Sequence, residues 1–415
     1  NQSMGAKADA NGQYKITFPA AGTYTLIVSY IGFEKETVQV AVAENQTTEK
    51  NIILKSGNKK IKEVKVKGEK TKSSETATLA EQKNSVAAIE VIGSQEMSRK
   101  GASDAQGAVM KMAGISKEEG SSQIFVRGLG DRYNITTLNG LPLASNNAAQ
   151  KNIDLSLFST DIVENIGVSK TFNAKNYGDF GGANINIDSK NFTGQPYLAV
   201  KFSLGGNSNT LESNDFYLQE GPSFSGFYSP NPPTNLSSTN NWGSSWNRKT
   251  SNLKYNGGLS INGGRSFELG EEGRLNAFFT VGFDNSSSFN SGLNRGKIGA
   301  DGYTRQDFNK DSYDYATNTT AMGVLNFCMN SNHKLTFTSL FLNSSDQSHD
   351  EYNGFDIEFD NDATANENGV GFIQRNTFTE TKLLINQLSG THAISDTNTI
   401  RWIVGYNSLN NTIPD

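Results

Sequence analysis

Ile124-Phe125-Val126-Arg127-Gly128-Leu129-Gly130-Asp131-Arg132-Tyr133, continuing through Leu138-Asn139-Gly140-Leu141-Pro142-Leu143, is the stretch on which the reading of this chain turns. An apolar run meets a turn at Arg127-Gly128, and a second run meets another at Asn139-Gly140. Glycine and asparagine tolerate positive φ, so such dipeptides between apolar runs mark tight strand connections. The segment predicts strand, turn, strand, turn in succession. It matches no soluble enzyme motif, because Gly128-Leu129-Gly130 lacks the third glycine and the helix of a dinucleotide or phosphate site.

Working outward, residues 88–92 read as a strand, and residues 104–112 as a helix with Ala108, Val109 and Met112 on one face after Ser103 as cap. Past the opening stretch, residues 161–170 read as a helical turn entering a strand, and residues 177–187 carry Gly181-Gly182 and an alternating strand. This order over residues 86–190 resembles the plug domain of TonB-dependent outer-membrane receptors. The resemblance makes Arg127, Gly128, Asp131, Arg132, Asn139 and Gly140 the plug motif. It implies that Arg127 pairs with carboxylates of a barrel wall, since a buried charge must be paired. The family's Asp in the second turn is Asn139 here, which keeps the turn chemistry and drops a charge.

Residues 1–54 read as short strands at 13–18, 22–30, 34–42 and 47–54, and so as a small β-sandwich. Asp9-Ala10-Asn11-Gly12-Gln13-Tyr14 and Tyr30-Ile31-Gly32-Phe33 resemble the carboxypeptidase-regulatory-like domain placed before the plug in many Bacteroidetes receptors. Members usually begin with one more strand, so the domain is expected to be trimmed. Residues 55–85 follow, with eight lysines and two glutamates between Lys55 and Lys72, and bury too little apolar surface to offset ordering entropy. They predict a flexible linker. Within it Ile61, Lys62, Glu63, Val64, Lys65 and Val66 resemble the TonB box, a segment that adds as a strand to a partner's sheet edge. Lys65 and Lys67 interrupt the usual valines, and a solvated lysine run is the other reading.

Residues 197–415 change rhythm. Strands are predicted at 198–205, 255–264, 275–283, 321–329, 334–343, part of 372–389, and 399–409, with Leu198, Val200, Phe202 and Leu204 opposite Lys201 and Ser203. Connections alternate between long polar ones (206–254, 284–320, 344–371) and short ones (265–274, 330–333, 390–398). Outer-membrane barrels place long loops outside and short turns in the periplasm. Seven strands cannot house a plug, which needs a barrel of roughly 22. The fold class is therefore mainly β: an N-terminal β-sandwich, an α+β plug, and the first strands of a large antiparallel transmembrane β-barrel. A whole protein of about 850–950 residues is expected.

Composition sets the exclusions. The chain of 415 residues has 41 Gly, 8 Pro and a single cysteine, Cys328, which rules out an internal disulfide and thiolate metal clusters. Its formal charge of −5 does not argue for nucleic acid. No run of about eighteen apolar residues offers a transmembrane helix, which does not bear on barrel strands. His333, His349 and His392 lack acid and nucleophile signatures, so no catalytic set and no cofactor are expected. Asp356, Glu358, Asp360 and Asp362, with Asp350, Glu351 and Glu367, crowd one loop; a solvated acidic loop and a Ca²⁺ site are the alternatives, and the EF-hand glycine is missing. Trp242 and Trp246, near Phe224, Phe227 and Tyr228, could stack on a ligand or anchor at the membrane interface.

The resemblance implies a receptor that takes up a scarce nutrient across the outer membrane, with TonB and its ExbB/ExbD motor and outer-membrane lipids as partners. The N-terminal domain and linker would lie in the periplasm. A plugged structural or assembly component of a surface or secretion complex is the rival, and a secreted adhesin a third reading. Ile135-Thr136-Thr137-Leu138-Asn139-Gly140 departs from the Pro-Leu-Tyr-Val-x-Asp-Gly form of SusC-like glycan importers, so a SusD-type partner is not favoured. Siderophore, cobalamin, peptide and glycan all remain open as ligands.

Overall fold

A computed structural model describes residues 4–55, 73–118, 121–174, 176–192, 194–228, 248–356 and 371–413. The chain divides into two compact units, Asn1–Lys67 and Gly68–Asp415.

In the first unit β1 (Gly22–Val28) and β2 (Glu36–Val42) pair antiparallel as a two-stranded sheet. The expected sandwich is not built: residues 13–18 and 47–54 form no strand and are tied instead by Tyr14 Oη donating to the Lys50 carbonyl (2.8 Å). Among the described residues only Val40 is buried, while Ile31 and Ile53 are almost fully exposed, so one sheet face lacks the second layer a sandwich needs.

The second unit opens with a helix that the linker reading missed, α1 (Glu75–Asn84), capped by Ser74, whose side chain accepts from Ala77 N–H. Next come β3 (Ile89–Gly93), α2 (Ser94–Arg99) and α3 (Ala105–Val109). The helix cap is Asp104 rather than Ser103: its carboxylate takes the Gly107 N–H at 2.7 Å, and Ser103 merely donates to it. Ala108, Val109 and Met112 are buried as their spacing requires. Then β4 (Ile115–Lys117) pairs with β5 (Ile124–Val126), and β6 (Ile135–Leu138), β7 (Leu141–Pro142), β8 (Val163–Ser169) and β9 (Asn184–Ser189) complete a sheet of order β3-β8-β9-β6-β7. Only β6 and β9 run parallel.

A larger sheet of order β10-β13-β14-β15-β16-β17-β18 follows, antiparallel throughout. Its strands are β10 (Tyr197–Gly205), β13 (Asn256–Leu269), β14 (Gly273–Asn294), β15 (Gln306–Cys328), β16 (His333–Asp356), β17 (Gly371–Ala393) and β18 (Thr399–Thr412). Between β10 and β13 lie α4 (Ser208–Glu212), β11 (Tyr217–Gln219) and its partner β12 (Arg248–Thr250). Residues 284–294, 306–320 and 344–356, expected within loops, continue the strands instead. They are rich in Ser, Thr, Asn and Asp, but a ladder is made by backbone groups and needs no continuous apolar face.

Strand periodicity gives this sheet two unlike faces. The row Leu198, Gly263, Phe279, Gly323, Ser339, Asn386, Tyr406 and the row Val200, Ile261, Val281, Ala321, Phe341, Leu384, Ser408 point away from the plug. Leu198, Phe202 and Val404 are each at least 64% exposed, an apolar band that water disfavours. The other face carries the plug, and one buried cluster runs through both. Phe192, at the plug exit, lies where Gly264 has no side chain; a Cβ there would sit 2.2 Å from its ring. Gly264→Val is expected to cost about 1–3 kcal/mol by overpacking, read as a lower urea midpoint of the refolded protein. Gly292→Val, whose Cβ would meet nothing within 4 Å, should leave the midpoint unchanged.

Candidate functional site, the seat of the plug

The opening motif builds two turns of one kind. Arg127 (φ 53°) and Gly128 (φ 79°) are both left-handed, as are Asn139 (φ 52°) and Gly140 (φ 88°), which is the type I′ geometry that matches strand twist. Val126 and Leu129 exchange backbone hydrogen bonds at 2.9 Å across the first turn, and Leu138 faces Leu141 across the second. Asp131 ties down a distant loop, accepting from the backbone N–H of Lys151 and Asn152 and from Asn152 Nδ2 (2.9 Å). Buried Asn134 donates to the carbonyls of Ile124 and Gly130 and accepts from Ala183 N–H, holding both hairpins to β9. Sequence reasoning missed Asn134 and Asn152, whose only signal was amide chemistry beside a glycine turn. The side chains of Arg127 and Arg132 are exposed, and Arg127 has no ion pair among the described residues.

Asn139 joins plug to wall. Its Nδ2 donates to Gln387 Oε1 on β17 at 2.8 Å and to Ser189 Oγ at 3.0 Å, while its Oδ1 accepts from Ser189 N–H at 2.9 Å. Gln387, 3% exposed, returns a hydrogen bond from Nε2 to the Leu138 carbonyl at 3.0 Å. Each amide uses its donor and its acceptor, so an aspartate could not replace Asn139 here. Asn407 Nδ2 adds a bond to the Pro142 carbonyl (3.1 Å), and Lys201 Nζ stands 3.7 Å from Asp161. Nearby, burial pushes the Lys190 ammonium below the ordinary lysine range, with Asp161 opposing.

The strongest attraction is apolar. Met322, Val324, Leu340, Leu342, Leu383 and Ile385 on the wall are all at most 3% exposed within the plug's cluster. At roughly 1.5–3 kcal/mol for each fully buried side chain they supply on the order of 10 kcal/mol as an upper bound. A neutral hydrogen bond adds about 1 kcal/mol and a largely exposed ion pair less. The belt holds the plug, and the amides fix its register. On either side lies a polar cavity between plug and wall. One, of about 320 Å³, opens toward the long connections and is lined by Asp161, Lys201, Ser260, Asp284 and Thr320. The other, of about 420 Å³, lies toward the short turns, lined by Asn139, Glu164, Asp188, Lys334 and Arg401.

Beyond the belt the inner face is hydrophilic. Asp350 takes hydrogen bonds from Ser312 and Tyr352 and pairs with Lys310 at 3.1 Å, while Arg375 lies 5.8 Å from the Tyr352 ring. Burial works against both charges, yet the bonds from Ser312 and Lys310 hold the Asp350 carboxyl below its ordinary range, and Asp350 lifts the Lys310 ammonium. Strand geometry splits the acidic cluster: Asp350 faces inward, Glu351 pairs with Arg248 on the outer face, and Asp356 lies 3.7 Å from Lys297. Glu358, Asp360, Asp362 and Glu367 lie outside the described residues, as do Trp242, Trp246 and residues 61–66. No group of three acidic, His or Cys side chains that could hold a metal occurs among the described residues. The first long connection lies as a strap on the outer face: Tyr315 Oη donates to the Phe224 carbonyl, and Tyr228 N–H donates to Glu380. Tyr228 packs on Phe378 at 5.3 Å, so this aromatic serves loop packing.

Asn139→Asp isolates the plug contact, since Asp also accepts the left-handed turn and keeps an acceptor for Ser189. It turns the donor toward Gln387 into an acceptor facing an acceptor. A loss of about 1–3 kcal/mol is expected, read as a lowered urea midpoint and faster amide exchange at Gly140; an unchanged midpoint would mean the amide pair does not hold the turn.

A family model described as the CarboxypepD_reg-like domain matches residues 1–66, and one described as the TonB-dependent Receptor Plug Domain matches residues 81–183. No curated protein matches the sequence. Among solved structures, the ferric-catecholate import receptor Fiu of E. coli K12 in its open form is 15% identical with a TM-score of 0.45, covering 79% of this chain and 50% of that one. FpvA of P. aeruginosa with a heterologous pyoverdine is 11% identical, TM-score 0.38, covering 80% and 52%. This chain thus spans about half the length of these receptors. Along its first 183 residues the chain thus carries a CarboxypepD_reg-like domain followed by a TonB-dependent receptor plug domain.

Proposed function

We propose that this receptor sits in the Gram-negative outer membrane, binds a scarce nutrient outside the cell and admits it to the periplasm when TonB, driven by ExbB/ExbD, remodels the plug. The observation that carries the reading is the division of the large sheet: one face seats the plug, and the other exposes an apolar band. About 9–11 tilted residues cross a bilayer, whereas β14, β15, β16 and β17 run 22 to 24 residues. The band lies at the short-turn half of these strands, and the hydrophilic half extends outward around Asp350 and Tyr352, where a ligand would first bind. No transport enzyme chemistry is needed, because the energy enters by pulling.

Coupling requires that the ligand bind two plug states unequally; tight binding to both shifts nothing. The lysine-rich linker with Ile61, Lys62, Glu63, Val64, Lys65 and Val66 would be the handle, offering TonB a strand to extend its sheet. Arg127 would meet its carboxylate on wall strands other than those described. Deleting residues 61–66 in the full-length protein is expected to abolish uptake-dependent growth while whole cells still bind the nutrient. Undiminished growth would sink the transport reading and favour a static closure within a surface assembly.

A further inference from the structure

The two polar cavities are separated by very little. Along β15 the positions facing the plug read Asn318, Thr320, Met322, Val324. Asn318 and Thr320 line the outward cavity, Val324 lines the inward one, and Met322, 3% exposed in the apolar cluster, lines neither. The plug repeats the pattern: Asp161 lines the outward cavity, Glu164 the inward one, and between them Ile162 and Val163 are buried in the same cluster. At about 3.4 Å per strand residue, only some 13 Å of wall lies between Thr320 and Val324. On β16 and β17 two inward belt residues line neither cavity, Leu340 with Leu342 and Leu383 with Ile385, whereas on β15 only Met322 does so, because its belt neighbour Val324 reaches the inward cavity.

We propose that Met322, against Ile162 and Val163, is the septum of the solute route, and that the two cavities are successive subsites for a small hydrophilic solute. This rests on reading the chain as a plugged barrel. The cavities suit such a solute because hydroxyls, amides and carboxylates from both plug and wall face them. In the outward cavity Ser260 Oγ, more than nine-tenths buried, has no hydrogen-bond partner among the described residues. An apolar constriction between wet compartments blocks passage by excluding water. Methionine suits a movable septum, since its unbranched thioether swings through three bonds without disturbing the backbone, whereas the leucines of β16 and β17 form a thicker, stiffer seal.

The test measures passive leak in cells lacking TonB, in the full-length receptor, with a chromogenic β-lactam hydrolysed by a periplasmic β-lactamase as the probe. Met322→Gln, which keeps the volume and wets the septum, and Met322→Ser are expected to raise entry on the order of tenfold, as removal of a hydrophobic gate does. Ile162→Ser should do the same from the plug side, and Met322→Leu should not leak. Leu340→Ala, where the belt is thicker, should remain near the wild-type rate even if its unfolding midpoint falls. Equal leak from Met322→Gln and Leu340→Ala, or no leak from any Met322 variant that folds, overturns the proposal. Because TonB is absent, the result is independent of the residue 61–66 deletion, so failure here and failure of the transport reading are told apart.

Discussion

Backbone pairing in long antiparallel strands is the constraint from which the rest follows. Each strand of the large sheet satisfies its N–H and C=O groups against its neighbours, so its side chains need only respect the period of two. That freedom lets one face carry an apolar band and the other a plug, with no residue serving both. It also explains how β14 to β17 continue through stretches rich in Ser, Thr, Asn and Asp, where apolar residues are few. The strap from the first long connection lies on the outer face of these extensions, capping Phe216, Leu218, Tyr313 and Tyr315 as a second small core.

On the proposed reading the plug faces two demands that pull against each other: it must seal, and it must be removable. Large apolar burial answers the first, since the wall's leucines, isoleucine, valine and methionine outweigh the amide contacts about threefold or more. The proposed removal would be eased by the plug's own core. Met97, Ala105, Ala108, Val109, Phe158 and Ile166 are fully buried by plug elements of their own, so cohesion within the plug does not depend on the wall alone. The polar cavities on either side reduce the sealing contact to a narrow belt.

Much of this was legible in sequence, for a physical reason in each case. Arg127-Gly128 and Asn139-Gly140 announce their turns because left-handed backbone is expensive for most residues and cheap for these. Leu198, Val200, Phe202 and Leu204 reveal a two-faced strand because alternation is local. What failed was non-local. The missing sandwich at residues 13–18 and 47–54 depends on a second layer that no short pattern encodes. Residues 284–294 and 306–320 read as loop because they are polar, whereas strand pairing depends on the partner strand. The carboxylates from Asp350 to Asp356 looked like one cluster in a line, but a strand sends neighbours to opposite faces, and Lys310, Arg248 and Lys297 claim them separately.

Asn139 shows how a departure from a family pattern can be a gain in fit rather than a loss of function. A carboxylate in that turn could accept the Ser189 N–H but would have nothing to donate to Gln387 Oε1, and Gln387 is held in orientation by the Leu138 carbonyl. Asn139 Nδ2 donates to Gln387 Oε1 and Gln387 Nε2 donates to the Leu138 carbonyl, so the contact closes with donor on acceptor in both bonds and no net charge. A charged pair at the same place would leave an uncompensated ion on the wall whenever the plug moved, at a cost of several kcal/mol. An amide pair leaves two neutral groups that water satisfies. For a closure that parts and re-forms, as the proposed function requires, the neutral contact is therefore the better match, and it places the specificity of docking on geometry while the belt supplies the strength.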